Sequence, residues 1–297
     1  MGVLLQVTGL RWRELLRAVW GRALATNAAN RAAELAFWFL MGFFPMLLAV
    51  TSMVTMIGSG PGSQGTLMTY LGEVLPSGAA SLVSRVLAQT VGSGRAWLSF
   101  FFALWSSSSA TAGLIDTLNA IYGQTERRPW WKYRLIAVAL AMATGTLLTA
   151  ALIIVAYSPI ILNKILPGTA TLYLWKLAQW PAAALLLIMA LLGIYRFAPN
   201  VQQQKWKWLL PGSVTAAVTW MAFSLLFKVY VRHFSHFGLL YGSLGALIIL
   251  MFWFYLSGAA ILVGGVINAV LADAAERSNL GAAQHDHHPP TAMYRTL

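Results

Sequence analysis

The sequence predicts an all-α fold: a polytopic membrane protein, a bundle of six transmembrane helices with amphipathic interfacial helices beside it. Three observations carry that expectation. Hydrophobic residues make up 59% of the 297 and charged residues only 9%, where a soluble domain carries about 25% charge. So little charge cannot cover a water-facing surface. Mean hydropathy is +0.68. Six runs free of Asp, Glu, Lys and Arg are of the length, ~20 helical residues, that crosses a hydrocarbon core about 30 Å thick. This composition excludes a disordered chain, a coiled coil and an ordinary soluble enzyme. The chain has no cysteine, which removes disulfides, Cys-ligated zinc, iron–sulfur centres and thiol catalysis.

Residues 1–31 form a basic segment in which Trp12, Leu15, Leu16 and Val19 recur at helical spacing, with Arg13, Glu14 and Arg17 on other faces. This predicts a cytoplasmic amphipathic helix. It either lies on the inner leaflet, its basic residues drawn to anionic headgroups at about 1 kcal/mol each, or packs under the bundle. No small-residue cleavage site follows, so no cleavable signal peptide is expected. The first span, 32–57, contains Pro45. Segment 58–95 is polar and glycine-rich, and its stripe of Leu82, Val83, Val86 and Leu87 predicts a short amphipathic helix that caps or gates the outer face. The second span, 96–121, is diluted by Ser106 to Ser109, Thr111 and Gly113, small residues that permit close helix approach or line a polar path.

The third span, 135–160, belongs to a run reaching Asn163, long enough for tilt or an interfacial tail. The fourth, 174–196, is interrupted by Pro181. Pro45 and Pro181 each remove a backbone donor and are candidate kinks. The fifth span covers 208–230. The last run, Phe234 to Ala272, is too long for one straight span. Its Gly238 to Ser243 opening is expected as a loop or broken start, with helix from Leu244, which places the sixth span at 244–272. Residues 273–297 read as a disordered cytoplasmic tail whose His285, Asp286, His287 and His288 would hold metal only adventitiously.

Fourteen of the 20 Lys and Arg residues fall on one side of this topology. Arg11, Arg13, Arg17, Arg22 and Arg31 precede span one; Arg127, Arg128, Lys132 and Arg134 join spans two and three. Arg196, Lys205 and Lys207 join spans four and five, and Arg277 and Arg295 follow span six. The richer side is cytoplasmic by the positive-inside rule. A multi-pass protein of the bacterial inner membrane with both termini inside is therefore expected. The same topology accounts for the net charge of +12 without a nucleic-acid partner.

Ionisable groups inside a bilayer are expensive and so are candidate functional residues. Glu34, Asp116, Asn119, Arg196 and Asn268 fall at similar depth near the inner side, and Asp116 and Asn119 share a helix face. They read as an inner-side polar pocket or gate, or as a structural latch in which Asp116 or Glu34 pairs with Arg196. On the outer side Lys228, Arg232, His233 and His236 read as contacts for a phosphate or acidic headgroup, or as an ordinary interfacial belt. A hydrolytic metal centre needs carboxylates or histidines gathered to activate water. The chain has eight acidic residues and no such cluster in its apolar region, and no Walker A sequence. Neither an enzyme nor a cofactor is expected.

Several stretches resemble the YihY/BrkB family of bacterial inner-membrane proteins, which once carried the name ribonuclease BN. They are Ala33-Glu34-Leu35-Ala36-Phe37-Trp38-Phe39-Leu40 with Phe43-Phe44-Pro45, Leu114 to Tyr122, and Arg128-Pro129-Trp130-Trp131-Lys132. Tyr195-Arg196-Phe197-Ala198-Pro199-Asn200 follows, leading to Pro211-Gly212, and then Tyr241-Gly242-Ser243-Leu244-Gly245-Ala246 with Trp253 to Ser257. The resemblance implies a six-helix inner-membrane bundle with an envelope-related role, lipid export among those proposed. One departure is visible. Where the family often carries Gly-Ala-Glu-x-Asn-Ala, this chain has Gly264-Gly265-Val266-Ile267-Asn268-Ala269, so Val266 replaces the carboxylate. The expected function is transport or flipping of a lipid, a lipid-like molecule or an anionic envelope component, with anionic membrane lipids as partners. The competing expectation is a non-transporting scaffold or assembly factor.

Overall fold

The computed structural model describes residues 11–57, 96–165, 169–201, 206–233 and 237–286. They form seven helices: α1 (Trp12–Ala25), α2 (Ala28–Ile57), α3 (Ala96–Ile121), α4 (Trp130–Ile165), α5 (Thr169–Phe197), α6 (Trp206–His233) and α7 (Phe237–Asp286). No strand occurs among the described residues. Among the described residues four helical stretches are long and apolar enough to cross a membrane: Trp130–Ala151, Leu177–Phe197, Trp206–Val231 and Leu247–Arg277. α2 and α3 run unbroken for 30 and 26 residues over the first two expected spans. The helix expected around Leu82 to Leu87 lies outside the described residues.

Helices α2 to α7 close into a ring. Each packs on the next in chain order, α7 returns to α2, and α7 also touches α3 across the middle. The outward faces stay apolar, with Leu135, Met142, Leu185, Val218, Leu225 and Ile248 exposed. That pattern suits hydrocarbon as solvent, not water. The tightest packing gathers at one end, where Leu35, Ile115, Leu118, Ile121, Tyr195, Leu209, Leu262, Val266 and Leu271 are buried together. This end carries the α3–α4 and α5–α6 connections, and is the connection end below.

α7 has 50 residues, about 75 Å at 1.5 Å per residue, and differs from expectation at both ends. Helix runs through Gly238 to Ser243, where a loop or broken start is expected. In hydrocarbon the helix supplies the only partners for backbone groups, and each glycine costs only about 1 kcal/mol. Helix also continues past Ala272 to Asp286, in place of a disordered tail from 273. Ala272, Ala274 and Ala275 favour helix, Ala275 is buried, and Asp273 forms an ion pair with Arg22 of α1.

That ion pair, with buried Leu15 and the packed Val19, fixes α1 against the bundle. Trp12, Leu16, Trp20 and Leu24 recur every four residues as a separate, exposed stripe. The helix thus has one apolar face turned to the bundle and a second left uncovered. Asn27 makes the sharp turn into α2 with φ +50°, a region asparagine tolerates better than most residues.

Candidate functional site

The connection end is closed by a hydrogen-bonded latch. α3 stops at Ile121 because Gly123 adopts φ +65°. The Gln124 N–H then reaches back to the Asn119 carbonyl at 2.8 Å and the Gly123 N–H to the Ala120 carbonyl at 3.2 Å, the glycine-terminated pattern of helix C-termini. This reversal leaves the buried Asn119 side chain between two connections. Its amide donates to Glu126 Oε2 at 2.9 Å, and its oxygen accepts the Asn200 N–H at 2.7 Å. Glu126 accepts the Arg128 backbone N–H at 2.9 Å and Arg128 Nε at 2.8 Å on Oε1, and a further guanidinium donor at 2.6 Å on Oε2. Arg128 also donates to the Ala198 and Phe197 carbonyls at 2.8 and 3.4 Å. Those carbonyls end α5 and have no partner within the helix.

The Arg128 side chain holds the Glu126 carboxyl below the usual carboxylate range, against the opposing effect of partial burial, and the Asn119 amide adds to the lowering. A carboxyl with a lowered folded pKa stabilises above its unfolded pKa, about 4.3 for glutamate, and that stability fades as pH falls through the folded value. Thermal unfolding in detergent should therefore show wild type more stable than Glu126→Gln above about pH 5. The margin should shrink on further acidification; a margin that grows in acid would contradict the latch.

Behind the latch the space between helices is filled. The Tyr195 hydroxyl, wholly buried, donates to the Ile261 carbonyl at 2.6 Å and ties α5 to α7. Asn268 Oδ1 accepts the Gly212 N–H at 2.8 Å and ties α7 to α6. Pro211 precedes that donor inside α6. Gly212 and Gly264 approach so closely that a Cβ on either would strike the other's carbonyl oxygen. Val266 is part of this apolar packing.

The polar groups left open lie on the outside, in the α3–α4 seam. Trp105, Ser109, Ala112 and Asp116 follow one another at three- and four-residue steps and share a face of α3. The Tyr133 hydroxyl donates to the Ala112 carbonyl at 2.9 Å and lies against the Asp116 carboxylate. Farther from the connection end, the Arg134 guanidinium donates to Ser109 Oγ at 3.1 Å and the Trp105 carbonyl at 3.2 Å. It stacks 4.3 Å over the Trp105 ring. Ser106 bonds the Met41 carbonyl of α2 at 2.9 Å, and Ser108 the Trp105 carbonyl at 2.7 Å, so the serine run serves helix packing and the seam together.

The five inner-side candidates do not converge on one pocket. Asn119 enters the latch and Asn268 the α6–α7 contact. Asp116 and Glu34 are exposed and within electrostatic reach of each other and of Arg31. Arg196 pairs with neither carboxylate; its guanidinium stands 6.0 and 5.8 Å from the Phe197 and Trp206 rings. α2 continues through Pro45, whose side chain is outside those described, and α5 through Pro181. Lys228 is exposed on α6. The Arg232 and His233 side chains, and His236 altogether, lie outside the described residues, as do His287 and His288.

Tyr133, Arg134, Glu126, Arg128 and Tyr195 were not among the candidates that the sequence singled out. For the two seam residues a signal exists: Pro129 precedes α4 at the position that favours helix initiation, so the helix takes in Tyr133 and Arg134. Among the described residues no three His, Asp or Glu stand close enough to hold a metal ion.

Comparison with known proteins places the chain among membrane proteins. A family model described as virulence factor BrkB matches residues 19–287. The ribonuclease-like protein YfkH of Bacillus subtilis is 32% identical over 263 residues, covering 86% of this chain and 94% of that protein. A UPF0761 membrane protein of Vibrio campbellii is 27% identical over 256 residues, 82% of this chain and 77% of the relative. Another, from Aromatoleum aromaticum, is 25% identical over 276 residues, 90% of this chain but 66% of the relative. No solved structure matches the chain.

Proposed function

The chain belongs to the virulence factor BrkB family, and from that premise we propose that it is an inner-membrane transporter or flippase. Its cargo is a lipid, a lipid-like molecule or an anionic envelope component, moved without an ATPase of its own. The observation that carries this reading is the polar ladder on the outside of an apolar ring. Asp116, Tyr133, Ser109 and Arg134 offer a headgroup successive partners up the α3–α4 seam while acyl tails stay in the surrounding hydrocarbon. A small water-soluble cargo would need the interior instead, and at the connection end Tyr195, Leu118 and the Gly212–Gly264 contact fill it. On this reading that end, with its basic connections, and both termini are cytoplasmic by the positive-inside rule.

A headgroup crossing bare hydrocarbon pays several kcal/mol of desolvation; a ladder of donors and acceptors lowers that barrier in steps. The ribonuclease-like name of the Bacillus relative is that protein's own and is not carried over to this reading. The second reading, a scaffold or assembly factor, is favoured by the latch, which fixes two connections rigidly. Reconstituted proteoliposomes decide between them. Headgroup-labelled phosphatidylglycerol on the inner leaflet should become accessible to an impermeant reductant well ahead of protein-free liposomes. Equal rates would overturn the flippase reading and leave the scaffold.

A further inference from the structure

We infer that Arg134, with Ser109 and the ring of Trp105, forms a binding site for the phosphate of an anionic lipid headgroup partway up the bundle. The inference deepens the flippase reading and rests on it. Arg134 is the fifth residue of α4, and helical side chains lean toward their own N-terminus, here toward the connection end. An arginine at such a position ordinarily bends back to the interface and keeps its charge in water. Arg134 extends the opposite way. Its neighbour Tyr133 meets Ala112, but its own guanidinium meets Ser109 and Trp105, successive turns farther from the end of α3. Ser109 lies about 10 Å farther along α3 than the exposed Asp116, two turns into the apolar run.

A guanidinium does not give up its proton, so at that depth its charge needs an anion. Ser109 Oγ and the Trp105 carbonyl are neutral acceptors. They orient the group without compensating it. Nε is buried with no partner, and no carboxylate pairs with Arg134 among the described residues. Asp116, two turns nearer the connection end, faces Tyr133 instead. Trp105 is 62% exposed, so the site opens sideways to lipid. With Nη2 held by Ser109 and Trp105, the Nη1 hydrogens remain for a phosphate oxygen, and the indole beneath fixes the guanidinium plane. Phosphate chemistry is common to lipid headgroups and to free phosphate esters; the sideways opening favours the lipid.

The test is native mass spectrometry of the full-length protein in mild detergent, titrated with phosphatidylglycerol or phosphatidylcholine. Wild type should retain one phosphatidylglycerol in preference to phosphatidylcholine. Arg134→Gln should weaken that retention by about ten- to a hundredfold, the worth of charge-assisted bonds. Arg134→Lys, which keeps the charge and loses the planar guanidinium, should fall between. Equal retention of the two lipids by wild type would overturn the site even if every variant failed to fold, and so would undiminished retention in a folded Arg134→Gln. Displacement by millimolar glycerol 3-phosphate would reassign the site to a water-borne ester and overturn the lipid assignment. Arg134-dependent binding without translocation in proteoliposomes would remove the flippase reading and keep the site. Translocation without that binding would do the reverse.

Discussion

Gly264→Ala will destabilise the bundle by about 2–4 kcal/mol, combining overpacking with a lost buried hydrogen bond. The new methyl group meets the Gly212 carbonyl and the Tyr195 hydroxyl, with the Ala216 side chain close by. The first is backbone on a packed helix and yields only if α6 moves away from α7. Such a movement pulls the Gly212 N–H from Asn268, whose amide nitrogen is already buried without a partner. The Tyr195 hydroxyl can escape only by leaving the Ile261 carbonyl. Gly193→Ala is the matched control, because its added methyl group meets nothing within 4 Å. Thermal unfolding in detergent should drop sharply for Gly264→Ala and stay near wild type for Gly193→Ala. Equal midpoints for both would refute the close crossing of α6 and α7.

Removing Arg128 has the next largest expected effect. Arg128→Ala leaves Glu126 without its ion-pair partner among the described residues and frees the Ala198 and Phe197 carbonyls at the end of α5. Breaking a partly buried pair and its carbonyl bonds costs about 2–4 kcal/mol. Exposed Arg127, one residue away, should cost no more than about 0.5 kcal/mol. The loss should also show locally: trypsin should cut after Arg127 faster in Arg128→Ala than in wild type under native conditions. Unchanged cleavage and unchanged unfolding would mean that the two connections are held by something other than this network.

The apolar spans were legible because hydrocarbon imposes one demand on every residue of a run, and a single strand of text records it. The partners in the latch were not. The sequence reads Asn119 as part of a polar pocket or gate, or of a latch built on Arg196, because its depth follows from the span; its partners Glu126 and Asn200 reach it only through the turn at Gly123 and the approach of α5. Arg134 was counted with the connection charges because the charge-free run starts at Leu135, whereas α4 starts at Trp130 and carries Arg134 into the span. The contact of Asn268 with Gly212 depends on a helix crossing that no spacing within α7 encodes. Stretches on which the family resemblance rests, Leu114 to Tyr122, Tyr195 to Asn200 and Pro211-Gly212, meet at the connection end with Gly264 to Ala269, where the chain departs from the pattern. They are where the helices are held together.

Asp116→Asn tests lipid movement along the α3–α4 seam most directly, with translocation and thermal unfolding measured on the same preparation. Asp116 is exposed and faces Tyr133, so an isosteric amide keeps the packing and removes the charge from the foot of the ladder. Headgroup-labelled phosphatidylglycerol should cross about tenfold more slowly, equivalent to roughly 1.4 kcal/mol on the barrier, while the unfolding midpoint stays near that of wild type. A lowered midpoint with translocation unchanged would contradict the pathway and make Asp116 part of a static latch.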